Sequence, residues 1–249
     1  MIILFTDFGP TGPYMGQITG ALMRDAPGVE IVQLMCDAPA FDPRAAAYLL
    51  AAYAPDFPEG GIFLAVVDPG VGGPRAPLVL QAGGRWYVGP DNGLLAMVAR
   101  RAGPAARAWE ITWRPARLSA TFHGRDLFAP VAARLARGEA PPGRPRDHAE
   151  MAAAPGADWP DDLARVIYVD AFGNALTGLR AAKLPRGATL AVAGRPLRRV
   201  RAFAEVPPGA ALCYENANGL MEIAVNQGSA ARTLNLDVGS KIDIAGDST

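Results

Sequence analysis

The apolar runs of this chain change their spacing once, near residue 139, and that change limits the fold more than any other feature. Before it, short apolar runs alternate with segments of helical period. IILFT (2–6) is followed by a helical pattern near YMGQITGALMRD, a run near EIVQLM, a helical RAAAYLLAAYA and an apolar run ending at Val67. Next come APLVLQA and RWYVGP around a Gly-Gly turn, then helical patterns in GLLAMVARRAG and, after His123, in GRDLFAPVAARLARG. Strand and helix in alternation predict an α/β domain with a mostly parallel central sheet over residues 1–139. Residues 140–163 are rich in Pro, Gly, Ala and charge and have no period, which predicts a linker. Beyond them ARVIYVD, ATLAVAG, ALCYEN, LMEIAVN, ARTLNL and KIDIAG are short and strand-like, with Gly, Pro and Asn between them. They predict a smaller all-β, barrel-like domain over 164–249.

Composition excludes several classes of function. A chain of 249 residues, 50% hydrophobic, is long enough to bury real cores. Its formal net charge is zero and no Lys/Arg block stands out, so a nucleic-acid partner is not expected. No run approaches the roughly 18 apolar residues of a membrane span. The opening MIILFT lacks the basic flank of a signal peptide, so a cytoplasmic location is the expectation. Cys36 and Cys213 lie far apart inside apolar runs with no metal-ligand spacing, and both are expected in the core.

Several apolar runs end in polar turns, and open α/β sheets bind ligands at such carboxyl ends. VVDPGVGGPR (66–75) puts Asp68 just past an inner strand, with Arg75 close behind; the alternative is a plain turn capped by Asp68. ILFTDFG puts Asp7 after the first strand, where a carboxylate suits the hydroxyls of a ribose, or else caps the loop. VGPDNGL offers Asp91 or Asn92 as the N-cap of the next helix. TFHGRD carries His123, one of two histidines, at the opening of a helix on the expected ligand edge, whereas His148 falls in the linker. In the second half, YVDAFGNALT and CYENANGLMEIAVNQG gather Asp170, Phe172, Asn174, Asn216 and Asn226 at strand ends. An aromatic beside amides suits a nucleobase, and Asx-rich β-turns are the alternative. No P-loop, dinucleotide fingerprint or serine-hydrolase elbow is present. No metal site is expected, although Asp7, Asp68 and Asp91 around Mg²⁺ would suit a nucleotidase or phosphatase.

Taken in order, TDFG, FDPRAAAYLL, VVDPGVGGPR, GPDNGLL, FHGRDLFAP, the D-x-FGN of 170–174 and NGLMEIAVNQGSA resemble the S-adenosylmethionine (SAM) hydroxide adenosyltransferases, relatives of the fluorinase and chlorinase enzymes. The resemblance implies hydrolysis of SAM to adenosine and L-methionine, without cofactor or metal. It also implies a homotrimer whose sites lie between the N-terminal domain of one subunit and the C-terminal domain of the next. It assigns the water-handling role to Asp68, Arg75 and His123, the ribose to Asp7, and an aromatic wall near the reacting carbon to Phe41. It gives the methionine ammonium to Asp170 and adenine contacts to Phe172, Asn174 and Asn226, with Asn216 in the same substrate-binding set. Relatives often carry Asn-Ser where this chain has Asn216-Ala217, so a hydroxyl for the methionine carboxylate is missing, and a non-catalytic SAM or adenosine binder is the other reading. The halogenating relatives carry a Tyr at the position of Asp68 and a Ser at that of Gly124, so halogenation is not implied.

Overall fold

Every residue of Ile2–Thr6 (β1) is buried, as expected of a strand that has sheet on both edges and cover on both faces. The computed structural model describes residues 1–185 and 187–245 and divides into two units, Met1–Trp159 and the residues from Pro160 onward. In the first unit β1 is followed by α1 (Tyr14–Asp25), β2 (Ile31–Met35), α2 (Pro43–Tyr53), β3 (Ile62–Val66), β4 (Pro77–Ala82) and β5 (Arg85–Pro90). Then come α3 (Ala96–Ala102), β6 (Arg107–Ile111), α4 (Ala129–Ala136), β7 (Gly143–Pro145) and α5 (His148–Ala152).

The seven strands form one sheet in the order β2-β1-β3-β5-β4-β6-β7. The first four are parallel, but β4, β6 and β7 join through antiparallel pairings, so the sheet is mixed rather than mostly parallel. The cause is local. Gly83 and Gly84 both take positive φ, the conformation a tight two-residue hairpin demands, and this turns β4 back against β5. Ile2 and Leu4 of β1 share a core with Ile18 and Leu22 of α1 and with Val131 and Leu135 of α4, while Ile3 and Phe5, also buried, face the other way. The chain leaves β1 toward β2 and returns to β3 on the other side, which opens a crevice at the carboxyl ends of β1 and β3.

The stretch expected as a linker carries structure. β7 extends the sheet at its edge, where Pro145 costs no inner ladder bond. Asp147 and Glu150 form a capping box at the start of α5, and Arg100 donates to the carbonyls of Gly156, Ala157 and Trp159.

From Pro160 the elements are β8 (Leu163–Val169), β9 (Ala175–Arg180), β10 (Thr189–Val192), β11 (Arg195–Pro196), β12 (Arg198–Arg199), β13 (Ala211–Glu215), β14 (Leu220–Val225), α6 (Ala230–Leu234) and β15 (Asp243–Ala245). They make a five-stranded sheet, β12-β13-β14-β9-β8, and a three-stranded one, β11-β10-β15, with isolated bridges at Arg165–Lys241 and Val225–Gly228 among the described residues. Hydrogen bonds link the two sheets at both ends: the segment 239–245 bonds to β8 and to β10, and the segment 195–199 bonds to β10 and to β13. The strand-like ARTLNL belongs to α6 instead: the Ser229 hydroxyl accepts the Arg232 N–H at its start, and Asn235 ends it in the left-handed conformation. Residues 246–249 of the expected β domain lie outside the described residues.

Candidate active site

Asp7 follows β1 directly and Asp68 lies two residues past β3, so sheet topology brings both carboxylates to the same crevice. A cleft of about 540 Å³ opens there, lined by Asp7, Phe41, Asp68 and His123 together with Tyr14 and Phe122. The loop after β3 carries Asp68 and Arg75, and Gly72 in that loop has φ +80° with an added Cβ only 2.6 Å from the Ala120 carbonyl. Only glycine lets this loop lie so close to the one that leads to His123.

His123 precedes a π-helical turn, Gly124–Phe128, in which the Ala129 N–H reaches back to the Gly124 carbonyl. The residue after it, Pro130, has no N–H to continue a regular ladder, so the wider turn is accommodated just before α4. The helix expected after His123 therefore exists, but its first turn is π.

Arg75 joins the site together. Its Nε lies 2.9 and 3.1 Å from the two Asp68 carboxylate oxygens, and its Nη2 is 2.5 Å from Oδ2. The same Nη2 is 2.9 Å from His123 Nδ1. Side-chain exposure is 10% for Arg75 and 5% for Asp68, and the guanidinium carbon stands 5.3 Å from the centre of the Phe128 ring. A guanidinium only donates, so Nδ1 of His123 accepts, and its proton sits on Nε2. Burial, and then the charge of Arg75, hold His123 below its ordinary value. Both keep the ring neutral.

Asp7 is pushed above the usual carboxylate value by burial and, to a smaller degree, by Asp68, while the Phe41 N–H at 3.2 Å from Oδ2 opposes the shift. That hydrogen bond also holds Phe41 at φ +60°, an uncommon conformation for an aromatic residue, with its ring 78% exposed at the cleft. Asp91 is committed elsewhere, to an ion pair with Arg146 at 2.5 Å. Among the described residues no cluster of three His, Cys, Asp or Glu side chains is arranged to hold a metal ion.

In the second unit, Asp170, Phe172 and Asn174 border a hollow of about 620 Å³. Asp170 accepts from the Phe172 and Asn174 N–H groups at 2.9 and 2.8 Å and from the Asn174 amide at 3.0 Å, which makes D-x-FGN a rigid Asx turn. An added Cβ on Gly173 would meet Ser229 Oγ at 2.1 Å. Phe172 is left 80% exposed. Asn216 and Asn226 do not line this hollow. The Asn216 amide binds Glu222 at 3.0 Å and its oxygen accepts from Asn218 and Leu220, while the Asn226 amide binds the Val206 carbonyl at 2.7 Å.

Two groups escaped the sequence reading. Phe8, Tyr14 and Phe122 form a mutually tilted and edge-on aromatic cluster beside the first cleft. Glu222, 6% exposed, sits under the second hollow with hydrogen bonds from the Tyr214 hydroxyl and Asn216. Burial and the Glu222 carboxylate push Tyr214 well above its ordinary value, so it stays a donor. A Tyr and a Glu on neighbouring strands give no sequence signal of such pairing. The aromatic cluster could have been read from the apolar residues flanking TDFG and FHG.

Residues 2–143 match the SAM hydroxide adenosyltransferase N-terminal domain and residues 164–243 the C-terminal domain, so the chain belongs to the SAM hydroxide adenosyltransferase family. It is 42% identical over 97% of its length to an (R)-S-adenosyl-L-methionine hydrolase of Thermus thermophilus, of which it covers 98%. Identity is 41% to the enzyme of that name from Salinispora arenicola, with 96% of this chain and 95% of that one aligned. A fluorinase from an Actinoplanes species is more distant, 27% identical over 55% of each chain. A crystal structure of an uncharacterized conserved protein from Thermotoga maritima shares the fold with TM-score 0.88 and 31% identity, covering 98% of this chain and all of that one.

Proposed function

We propose that the protein hydrolyses SAM to adenosine and L-methionine by in-line attack of water at C5′, with Asp68, Arg75 and His123 handling the water. The observation that carries this reading is the single guanidinium shared between Asp68 and His123. Arg75 pairs with the carboxylate through three contacts and holds the imidazole in one tautomer. The Nε2–H of His123 donates to the water oxygen while Asp68 accepts one of its hydrogens, which aims a lone pair at C5′. The C–O bond forms as the C5′–S bond breaks. The sulfonium electrons return to sulfur, giving a neutral thioether that needs no proton, and the proton lost by the water passes to Asp68 and then to solvent.

Asp7 holds the ribose, and Phe41 covers the reacting carbon. In the second unit Asp170 receives the methionine ammonium, while Phe172 and Asn174 meet adenine; the exposure of both aromatic rings supports sites completed by another copy in a homotrimer. Asn216 and Asn226 act by shaping the strands behind that hollow, since their amides are already bonded. No cofactor enters this scheme.

The test is incubation of the purified protein with SAM and chelator in ¹⁸O-labelled water, with products resolved by chromatography and mass spectrometry. Label is expected in the adenosine 5′-hydroxyl. Adenosine formation no faster than in buffer alone, or a requirement for added metal, would refute the reading.

A further inference from the structure

The β3 strand pairs with β1 as far as Val66 and with β5 as far as Leu64, so Asp68 lies beyond the last paired residue of the sheet. A carboxylate on an unsupported loop would wander, and a positioned one needs its own backbone held. The support comes from the turn after β5. The side-chain amide of Asn92 donates to the Val67 carbonyl at 2.8 Å, which belongs to the very peptide that leads into Asp68. The other end of the same amide is occupied too: Asn92 Oδ1 accepts the Leu94 N–H at 3.2 Å, so the nitrogen must face Val67. One residue earlier, the Asp91 N–H donates to the Ala76 carbonyl at 2.9 Å, just past Arg75. The turn thus grips the loop at both ends, next to Asp68 and next to Arg75. It is itself held by Gly93, whose φ of +97° and contact with Trp159 exclude a side chain.

We infer that Asn92 is a positioning residue for Asp68: by fixing the Val67–Asp68 peptide it sets the direction from which the carboxylate meets Arg75 and the water. This rests on the proposed role of Asp68. Nothing in Asn92 touches the cleft, so its effect must pass through the Asp68–Arg75–His123 contacts. A slackened loop moves Arg75 away from His123 as well. The other charged groups acting on His123 are Asp68, Arg114 and Asp126, with Asp7, Tyr14 and Arg125 lining the same cleft, and none of these is moved by Asn92 except Asp68.

The experiment compares Asn92→Ala and Asn92→Ser with Asp91→Asn and Asp68→Asn. Serine keeps an oxygen for the Leu94 N–H but cannot reach Val67, so it separates capping of the turn from support of the loop and serves if the alanine variant folds poorly. Both Asn92 variants are expected to lose about 10- to 100-fold in kcat, the scale of a sub-ångström to ångström misplacement, with KM for SAM unchanged. Their acid limb in the pH–rate profile is expected to move to higher pH, because a displaced Arg75 no longer disfavours the imidazolium. Asp91→Asn, which loses the Arg146 charge but keeps its backbone bond to Ala76, should lower the melting temperature while leaving kcat and the limb in place. Asn92 variants with the parent kcat and limb, beside an inactive Asp68→Asn, would overturn the positioning role alone. A fully active Asp68→Asn would overturn both that role and the reading of the site. An acid limb shifted equally by Asp91→Asn would reduce Asn92 to general stability and overturn the inference.

Discussion

Replacing Arg75 by Met tests whether the Asp68–Arg75 pair is one unit. Methionine keeps much of the stem that packs near Phe128 but leaves Asp68, 5% exposed, with none of its three guanidinium contacts. Breaking a buried pair by removing one partner costs about 3–5 kcal/mol, because the remaining charge is neither solvated nor paired. For a unit of this size each kcal/mol shifts the melting temperature by about 2–4 °C, so a fall of about 6–20 °C is expected. All four tryptophans, Trp86, Trp109, Trp113 and Trp159, lie in the first unit, so tryptophan fluorescence during chemical denaturation follows this unit alone. Adding Asp68→Asn to Arg75→Met should recover part of the loss, with a coupling energy of about 1–3 kcal/mol. Turnover should drop by about 10² or more in each single variant and little further in the double, as for residues acting together. Additive losses in both stability and rate would refute the claim that the two side chains work as a pair.

His123 is held below its ordinary 6.5 by burial and by Arg75, so the neutral ring persists on acidification and the acid limb of the pH–rate profile should lie below 6.5. In that window the unfolded chain binds a proton that the folded chain does not, so this group's contribution to stability falls as pH drops below 6.5; an acid limb at or above 6.5 refutes the tautomer assignment. Gly124→Ser should lower turnover without creating a halogenase, since its Cβ would sit 3.1 Å from Phe8 and 3.2 Å from Ile18. Chromatography showing a 5′-halo-adenosine product in chloride or fluoride would refute that expectation.

The strands and helices of the first unit were legible because burial on both faces writes unbroken apolar runs such as IILFT and IFLAV, and helices write a different period. Pairing direction was less legible. The Gly83-Gly84 turn was visible as a hairpin, yet nothing local told that β6 and β7 would continue antiparallel from it. ARTLNL misled because a six-residue apolar alternation fits strand and helix alike, and the deciding features were Ser229 before it and Asn235 within it. In the site, Asp7, Asp68 and His123 could be singled out by their places at strand and helix ends. Their grouping with Arg75 came from the family resemblance alone, since a contact spanning 48 residues of sequence leaves no spacing to read. The bonds of the Asn216 amide to Glu222 and of the Asn226 amide to Val206 were likewise not legible as spacing.

A cationic substrate raises a question about Arg75, because a guanidinium beside a sulfonium would repel it at short range. The arrangement answers this by cancellation. Asp68 neutralises Arg75 through contacts of 2.5 to 3.1 Å, and Arg75 in turn disfavours a second positive charge on His123, so the three groups together carry no net charge. On the proposed reading Asp7 stands apart from that balance, and its carboxylate attracts the cationic substrate. On the same reading Asp170 serves the second unit, its oxygens ordered by the N–H groups of its own turn. On that reading the reacting carbon meets a water held by mutually compensated groups, while the carboxylates outside the pair are kept for recognition. A site built this way loses attraction for the substrate when Asp7 is removed and loses orientation of the water when Arg75 is removed, so the two changes should separate into KM and kcat respectively.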